Sequence, residues 1–170
     1  ACILLLLVVL VAVVAVFWTP CDPYMDGMLN QPPSADLPFG TDNKGRDVLS
    51  RMMVGARTSL VIGLGATAFA LVVGSIIGSI AAVSRKWISE VIMRIMDIIM
   101  SFPGIALAAT LIIVFGQNLP TLVLAIGFLY IPQIARIVRA NVVSEYGHDY
   151  VRAVVVSGAR APWILIKHVM

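Results

Sequence analysis

Long, almost uncharged apolar runs dominate the chain and restrict what it can fold into. Four of them cover residues 2–18, 60–83, 91–115 and 119–138, and each is close to or above the about 20 apolar residues that a helix needs to cross a bilayer. Hydrophobic residues make up 60% of the chain and charged residues only 12%, unlike a soluble domain. Because backbone polar groups in lipid must be paired internally, we expect an all-α, polytopic helical membrane protein.

The first run is predicted to be a transmembrane helix, residues 1–18, rather than a secretory signal. Phe17 and Trp18 close it with aromatic rings, which are typical of the headgroup level. No small-residue cleavage site follows it. The chain begins at Ala1 without a charged flank, so we expect the natural protein to have further residues before this run.

The positions of the basic residues predict an orientation. Arg85 and Lys86 separate the second and third runs, and further basic residues follow the fourth: Arg136, Arg139, Arg152, Arg160 and Lys167. Cytoplasmic segments gather Lys and Arg, so both segments are predicted to be cytoplasmic. Residues 19–59 then form an extracytoplasmic loop, and residues 60–140 contain transmembrane helices two to four.

The extracytoplasmic loop has an irregular part and a helical part. Residues 20–40 are rich in Pro, Gly and Asp, which disfavours a regular element. The pattern then becomes helical, with Thr41 or Asp42 as the candidate N-cap. An apolar stripe predicts an amphipathic helix on the membrane surface, where a soluble partner could bind; the stripe consists of Val48, Leu49, Met52 and Met53.

Two spans carry residues of predicted structural importance. In the third run, Arg94 and Asp97 are three residues apart and share a helix face, where an ion pair reduces the cost of intramembrane charge; a structural pairing is favoured over substrate contact. Pro103 predicts a bend or a hinge. In the second run, Gly74 and Gly78 form a G-x-x-x-G pair that permits close helix packing, although glycine is also simply common in membrane helices.

The sequence contains no pattern of a self-contained enzyme. It has no G-x-x-x-x-G-K-[ST] phosphate loop, catalytic triad or metal-ligand spacing. Cys2 and Cys21 would be separated by the length of a span, so no bond between them is expected. The basic residues do not cluster with aromatic residues, so no nucleic acid is expected as a partner.

Residues 149–170, DYVRAVVVSGARAPWILIKHVM, are basic and mildly apolar. Gly158 permits the positive φ that ends a helix, and Pro162 can open the next one. A short helix with an apolar face between basic residues suits a docking element. From spacing alone, a helix resting on anionic lipid headgroups is equally compatible with this segment.

Three segments resemble the permease subunits of bacterial ABC importers for oligopeptides, dipeptides and nickel. They are FGTDNKGRDVLSRMMVGARTSL (39–60), MRIMDIIMSFPGIALA (93–108) and the terminal stretch, and their order matches that family. The resemblance implies a type I importer-like permease fold, incomplete here because such permeases have further spans. It also implies structural roles in the third span for Arg94, Asp97 and Pro103, and a role in shaping the external entrance for Asp42, Gly45, Arg46 and Asp47. Because Arg46 and Asp47 are adjacent, each is expected to find other, structural partners.

The family also carries a cytoplasmic E-A-A signature, followed after three residues by Gly, which docks on the ATPase subunit. Arg152, Ala153 and Val154 stand where E-A-A would be, and Gly158 takes the glycine place; the acidic residue is absent. The resemblance thus implies that residues 141–170 are a coupling segment, truncated before the remaining spans. Its coupling residues would be Arg152, Ala153, Val154, Gly158, Ala159 and His168.

The function implied is that of a non-catalytic, multi-pass permease in the bacterial inner membrane, importing di- or oligopeptides by alternating access. The implied partners are a second homologous permease subunit, two ATPase subunits, an extracytoplasmic binding protein, membrane lipid and the peptide. No cofactor is expected in this chain, since ATP and Mg would be bound by the ATPase subunits. A nickel or metal-chelate importer is the alternative, and a non-ABC channel or membrane scaffold is a weaker one.

Overall fold

A computed structural model of the chain describes residues 2–25 and 27–146. The helices in these two ranges are α1 (Cys2–Phe17), α2 (Val48–Val83), α3 (Lys86–Ser101), α4 (Gly104–Phe115) and α5 (Leu119–Tyr146). Extended pairing in the same ranges is limited to one isolated antiparallel bridge between Thr41 and Asp47. The predicted all-α class is therefore confirmed.

Two helices are long and apolar enough to cross a membrane, α2 with 36 residues and α5 with 28. The α3 and α4 helices pass the same test only as a pair, and they are bent by 87° at their junction. The α1 helix has 16 apolar residues, which give it a length of about 24 Å at the usual rise per residue. A hydrocarbon core is thicker, at about 30 Å. The described part of the chain thus contains two candidate membrane spans, or three if the bent pair is one span.

The bend between α3 and α4 occurs at Pro103, where one was predicted. Phe102 is extended (φ −79°, ψ 140°) and Pro103 follows with φ −59° and ψ 114°. A proline disfavours helical geometry in the residue before it and cannot donate a backbone hydrogen bond. The third apolar run therefore forms two helices rather than one kinked helix.

The chain divides into two compact units, Ala1–Leu64 and Gly65–Met170, with the boundary inside α2. In the first unit, α2 begins at Val48 and continues without interruption, so no separate surface helix precedes the second span. The predicted apolar stripe is also divided, because Met53 is buried whereas Met52 is exposed. The sequence between residues 48 and 60 contains no proline, and Gly55 alone does not stop a helix.

The core of the second unit lies where α2, α3 and α5 meet. Ala70, Met96, Ile131 and Ala135 form its buried centre. Glycines bring α2 and α5 close together: a Cβ at Gly78 would lie 2.5 Å from the Ala135 carbonyl oxygen. The close packing predicted from the G-x-x-x-G pair is therefore present.

Candidate functional site

The connecting loop, residues 18–47, is folded around the carboxylate of Asp42. This carboxylate accepts hydrogen bonds from the backbone N–H groups of Lys44 at 2.8 Å and Arg46 at 3.0 Å. The Arg46 guanidinium lies 3.1 Å from it and Arg51 forms a second ion pair. The hydrogen bond from the Arg46 backbone N–H is the largest influence that holds the pKa of the Asp42 carboxyl well below its ordinary value. The loop is therefore organised by a carboxylate that remains charged well into acidic solution.

Gly45 allows two parts of this loop to touch. Its φ is +78°, and a Cβ there would lie 2.1 Å from the Gly27 carbonyl oxygen. The Gly27 N–H donates to the Gly45 carbonyl at 3.1 Å. Any other residue at position 45 would be strained and would collide with backbone, so the glycine is required by the fold of the loop.

Asp47 caps α2 and connects it to the start of the loop. The side chain is buried, and its oxygens accept from the N–H groups of Leu49 at 3.3 Å and Ser50 at 2.9 Å. The Ser50 hydroxyl contacts Asp47 and accepts from the Cys21 N–H at 3.0 Å. The prediction of Thr41 or Asp42 as N-cap is wrong, because α2 starts six residues later than Asp42 and Asp47 stands directly before it.

The four residues predicted to shape an external entrance thus lie together in one folded loop. Arg46 pairs with Asp42 and Asp47 bonds to Ser50, so the adjacent Arg46 and Asp47 do find separate, structural partners. Their role at an entrance stays a prediction. Sequence reasoning missed Ser50, which the D-x-x-S spacing before an apolar helix could have revealed as part of a cap.

A polar seam joins α3 to α5 in the second unit. Asp97 of α3 forms an ion pair with Arg136 of α5, and the Arg139 Nε donates to the Ser89 Oγ at 2.8 Å. The expected pairing of Asp97 with Arg94 is therefore replaced by a contact between helices. The packing of α3 on α5 brings the Arg136 guanidinium to Asp97, a contact that the spacing along α3 alone does not indicate.

An open groove of about 600 Å³ lies beside this seam. Its lining carries charges of both signs on otherwise apolar helices: Trp87, Glu90, Val91, Met93, Arg94, Asp97 and Arg139. The side chains of Arg136 and Asp97 are about half exposed, at 53% and 54%. Half-exposed charges in membrane helices face water or further protein rather than lipid, so the groove suits contact with water or protein.

A second cavity of the same unit is apolar. It has a volume of about 420 Å³ and lies near the turn between α4 and α5. Three phenylalanines account for much of its wall, and Thr121 contributes the one hydroxyl: the lining is Phe69, Leu111, Phe115, Thr121, Leu124, Ala125 and Phe128. Its walls favour aliphatic or aromatic groups and provide no charge.

The six predicted coupling residues lie outside the described residues, as does the whole segment 147–170. They are Arg152, Ala153, Val154, Gly158, Ala159 and His168. The α5 helix leads directly to this segment, since it ends at Tyr146. The coupling assignment therefore stays a prediction.

Comparisons with known proteins agree on one family. Residues 74–170 match the family described as binding-protein-dependent transport system inner membrane component. The chain is 40% identical over 170 residues to a putative peptide transport system permease of Brucella suis, covering 99% of this chain and 57% of that protein. It is 38% identical over 164 residues to a di/tripeptide transport system permease of Pseudomonas aeruginosa, covering 91% of this chain and 54% of that protein.

A third relative is the oligopeptide transport system permease of Bacillus subtilis, which is 35% identical over 170 residues, covering 99% of this chain and 56% of that protein. The chain thus spans a little over half the length of these curated relatives. The family match covers more than half of the chain. The apolar helices, the polar seam and this match lead to one conclusion: the chain belongs to the family of binding-protein-dependent transport system inner membrane components.

Proposed function

We propose that this chain is part of the transmembrane permease subunit of an ATP-driven importer for di- or oligopeptides. The observation that carries the proposal is family membership combined with relatives that are named as peptide permeases. The importer works by alternating access in a bacterial inner membrane. Its partners are a second homologous permease subunit, two ATPase subunits and an extracytoplasmic binding protein.

The mixed charges of the groove support a peptide as the cargo. A peptide at neutral pH carries a cationic amine and an anionic carboxylate. The groove offers both signs, with Glu90 and Asp97 on one hand and Arg94 and Arg139 on the other. A polar surface of this kind can take over part of the hydration of both termini, whereas a surface of one sign would repel one of them.

The polar seam supports a mechanical role for α3 and α5. Arg136 and Arg139 hold α3 against α5 through Asp97 and Ser89, and α5 leads into the predicted coupling segment. Movement imposed on that segment by an ATPase then reaches α3 through α5. The break at Pro103 lets α3 move with less constraint from α4.

ATP hydrolysis belongs, in this proposal, to the ATPase partners, and the chain requires no cofactor of its own. The family is a transport component, which supports a non-catalytic role. A permease for nickel or a metal chelate remains the second candidate because the extracytoplasmic binding protein selects the cargo in such systems. The peptide names of the relatives favour peptides, and family membership disfavours an ATP-independent channel or a scaffold.

The test is uptake by a strain that lacks the natural gene and carries the full-length protein on a plasmid. We expect ATP-dependent uptake of a radiolabelled dipeptide, and no uptake of radioactive nickel above the level of the deletion strain. Nickel uptake without peptide uptake would support the second candidate instead. If deletion of the gene reduces neither dipeptide uptake nor nickel uptake, the protein is not an importer for these cargoes.

The coupling assignment has its own test, which is copurification of the ATPase subunits. Gly158→Trp is expected to abolish copurification and uptake, because a bulky residue at the predicted helix end blocks docking. Gly55→Trp is the matched control, since a Cβ at Gly55 would have no atom within 4 Å apart from its chain neighbours and the adjacent backbone of its own helix. Retention of the ATPase by Gly158→Trp would refute docking through residues 149–170.

A further inference from the structure

Four charged side chains line the open groove beside the polar seam, and the fold already engages two of them. Asp97 forms the ion pair with Arg136 of α5. The Arg139 Nε donates to the hydroxyl of the buried Ser89 at 2.8 Å. Asp97 and Arg139 are therefore anchored in the wall of the groove by contacts between α3 and α5.

The other two charges of the groove, Glu90 and Arg94, are exposed. The side chain of neither forms a hydrogen bond or an ion pair within the described residues 2–25 and 27–146. They are four residues apart on α3, a spacing at which a glutamate and an arginine can pair along one helix face. The structure leaves this pair open, so both charges are available to a ligand in the groove.

The spacing of Glu90 and Arg94 fits the two ends of a dipeptide. Four residues of α-helix rise about 6 Å, and two residues of extended chain span at most about 7 Å. At neutral pH a dipeptide carries a cationic amine at one end and an anionic carboxylate at the other. In a longer extended peptide the two charged ends lie farther apart, so they do not match both side chains at once.

An aromatic ring extends the Glu90 end of this site. Trp87 lines the same groove and is 63% exposed, and it precedes Glu90 by three residues, which places both on one face of α3. The face of an indole ring attracts a cationic amine. The guanidinium of Arg94 instead suits a carboxylate, to which it can donate two parallel hydrogen bonds.

We propose that the groove binds a dipeptide with its amine at Glu90 and Trp87 and its carboxylate at Arg94. The proposal rests on the proposed importer function and narrows the cargo of this site to dipeptides with two free ends. In the predicted orientation α3 begins at the cytoplasmic side, so Glu90 lies nearer to the cytoplasm than Arg94. The bound dipeptide therefore points its amine toward the cytoplasm.

The first test is dipeptide uptake by proteoliposomes that contain the full-length protein with its partner permease and ATPase subunits, and that receive the binding protein from outside. Glu90→Gln and Arg94→Gln should each lower the kcat for radiolabelled alanyl-alanine about tenfold, as expected for the loss of one hydrogen bond to a charged group. The KM should stay unchanged, because the binding protein that captures the cargo is unaltered.

Lys86→Gln is the matched control for the loss of a charge from the same helix. Lys86 is the exposed first residue of α3 and does not line the groove. This variant should keep the kcat of the wild type. The Tm of all three variants should equal that of the wild type, because neither Glu90 nor Arg94 bonds to another described side chain.

A second readout needs no binding protein. Val91 lines the groove, and alkylation of Val91→Cys by N-ethylmaleimide can be followed by mass spectrometry of the peptide that contains this position. Alanyl-alanine should slow the alkylation, whereas N-acetyl-alanyl-alanine amide, which has no charged end, should not. The protection should be lost in the Val91→Cys/Arg94→Gln double variant. Because Val91→Cys keeps both charges of the site, this readout applies even where a glutamine variant fails to fold.

The outcomes separate this proposal from the importer function. If wild-type proteoliposomes import no dipeptide, the importer function fails and this proposal fails with it. If the wild type imports the dipeptide and both glutamine variants do so with the same kcat, only the assignment of Glu90 and Arg94 is overturned. Equal protection by the uncharged analogue and by alanyl-alanine would also overturn that assignment alone.

Discussion

The packing of α2 against α5 can be tested with the same substitution at two glycines of one helix. In Gly78→Ala, the new Cβ would lie 2.5 Å from the Ala135 carbonyl oxygen and 3.0 Å from the Val138 Cβ. In Gly63→Ala, the new Cβ would meet no atom within 4 Å apart from its chain neighbours and the adjacent backbone of its own helix. Both changes are made inside α2, so the helix gains the same propensity in both.

The two substitutions are expected to change the free energy of unfolding in opposite directions. At Gly78, the distance from the new Cβ to the Ala135 carbonyl oxygen is roughly 0.9 Å shorter than the 3.4 Å at which ordinary contact begins. The carbonyl oxygen belongs to the backbone, so it cannot rotate away. Overpacking of this kind costs about 1–3 kcal/mol, while replacing a helical glycine by alanine returns up to about 1 kcal/mol. Gly78→Ala should therefore destabilise by up to about 2 kcal/mol, whereas Gly63→Ala should be neutral or stabilising by up to about 1 kcal/mol; the two variants should differ by about 1–3 kcal/mol.

Thermal unfolding of the purified protein in detergent, followed by circular dichroism at the helical minimum, measures this difference. One kcal/mol corresponds to about 2–4 °C in Tm for a chain of this size. We expect Gly78→Ala to melt several degrees below the wild type and Gly63→Ala to melt at the same temperature or above it. If Gly78→Ala is as stable as Gly63→Ala, the helices do not pack through Gly78.

Three further predictions concern the charged residues. The Arg46 N–H lowers the pKa of Asp42, so the stabilisation of the loop is present above the ordinary carboxyl pKa and is lost as the pH falls toward the lowered pKa of Asp42. Limited proteolysis should therefore show an ordered loop at pH 7 and a cleavable loop in strong acid. The loop of the Asp42→Asn variant should be cleaved already at pH 7. Asp47→Ala should destabilise by about 0.5–2 kcal/mol through loss of the α2 cap, measured as a lower Tm. Arg136→Met or Asp97→Asn should each reduce stability, and a smaller loss in the double variant than the two single losses combined would measure their coupling.

The helical elements were the most predictable part of the fold. Apolar runs long enough to span a bilayer predicted α2, α5 and the α3–α4 pair, because helix formation in lipid follows from composition and length. Pro103 predicted the interruption between α3 and α4, because its effect is local to the backbone. The angle of 87° at that interruption could not be predicted, since it depends on what the two helices pack against.

Contacts between distant residues were not predictable from local spacing. Arg94 was the nearest cation to Asp97 in sequence, but the partner is Arg136, 39 residues away. The Cys21–Ser50 hydrogen bond likewise joins residues that are 29 positions apart. Such choices depend on the packing of α3 on α5 and on the path of the loop. In contrast, Arg46 pairs with Asp42, four residues earlier in the same turn. Reasoning from the local sequence therefore correctly predicted a structural partner for Arg46.

The charges of α3 determine which surface of the second unit can face lipid. An ion pair with half-exposed members is expensive in hydrocarbon, so the groove beside Asp97 and Arg136 must face water or protein. By contrast, Ile105, Ile113 and Val114 of α4 are all more than two-thirds exposed and carry no polar group, so contact with lipid or an apolar protein surface suits them. The polar groove and the apolar face of α4 thus require different surroundings: water or protein for the groove, and lipid or an apolar protein surface for α4. Ile113→Lys should therefore impair membrane insertion or assembly far more than Val91→Lys, because Val91 lies in the wall of the groove.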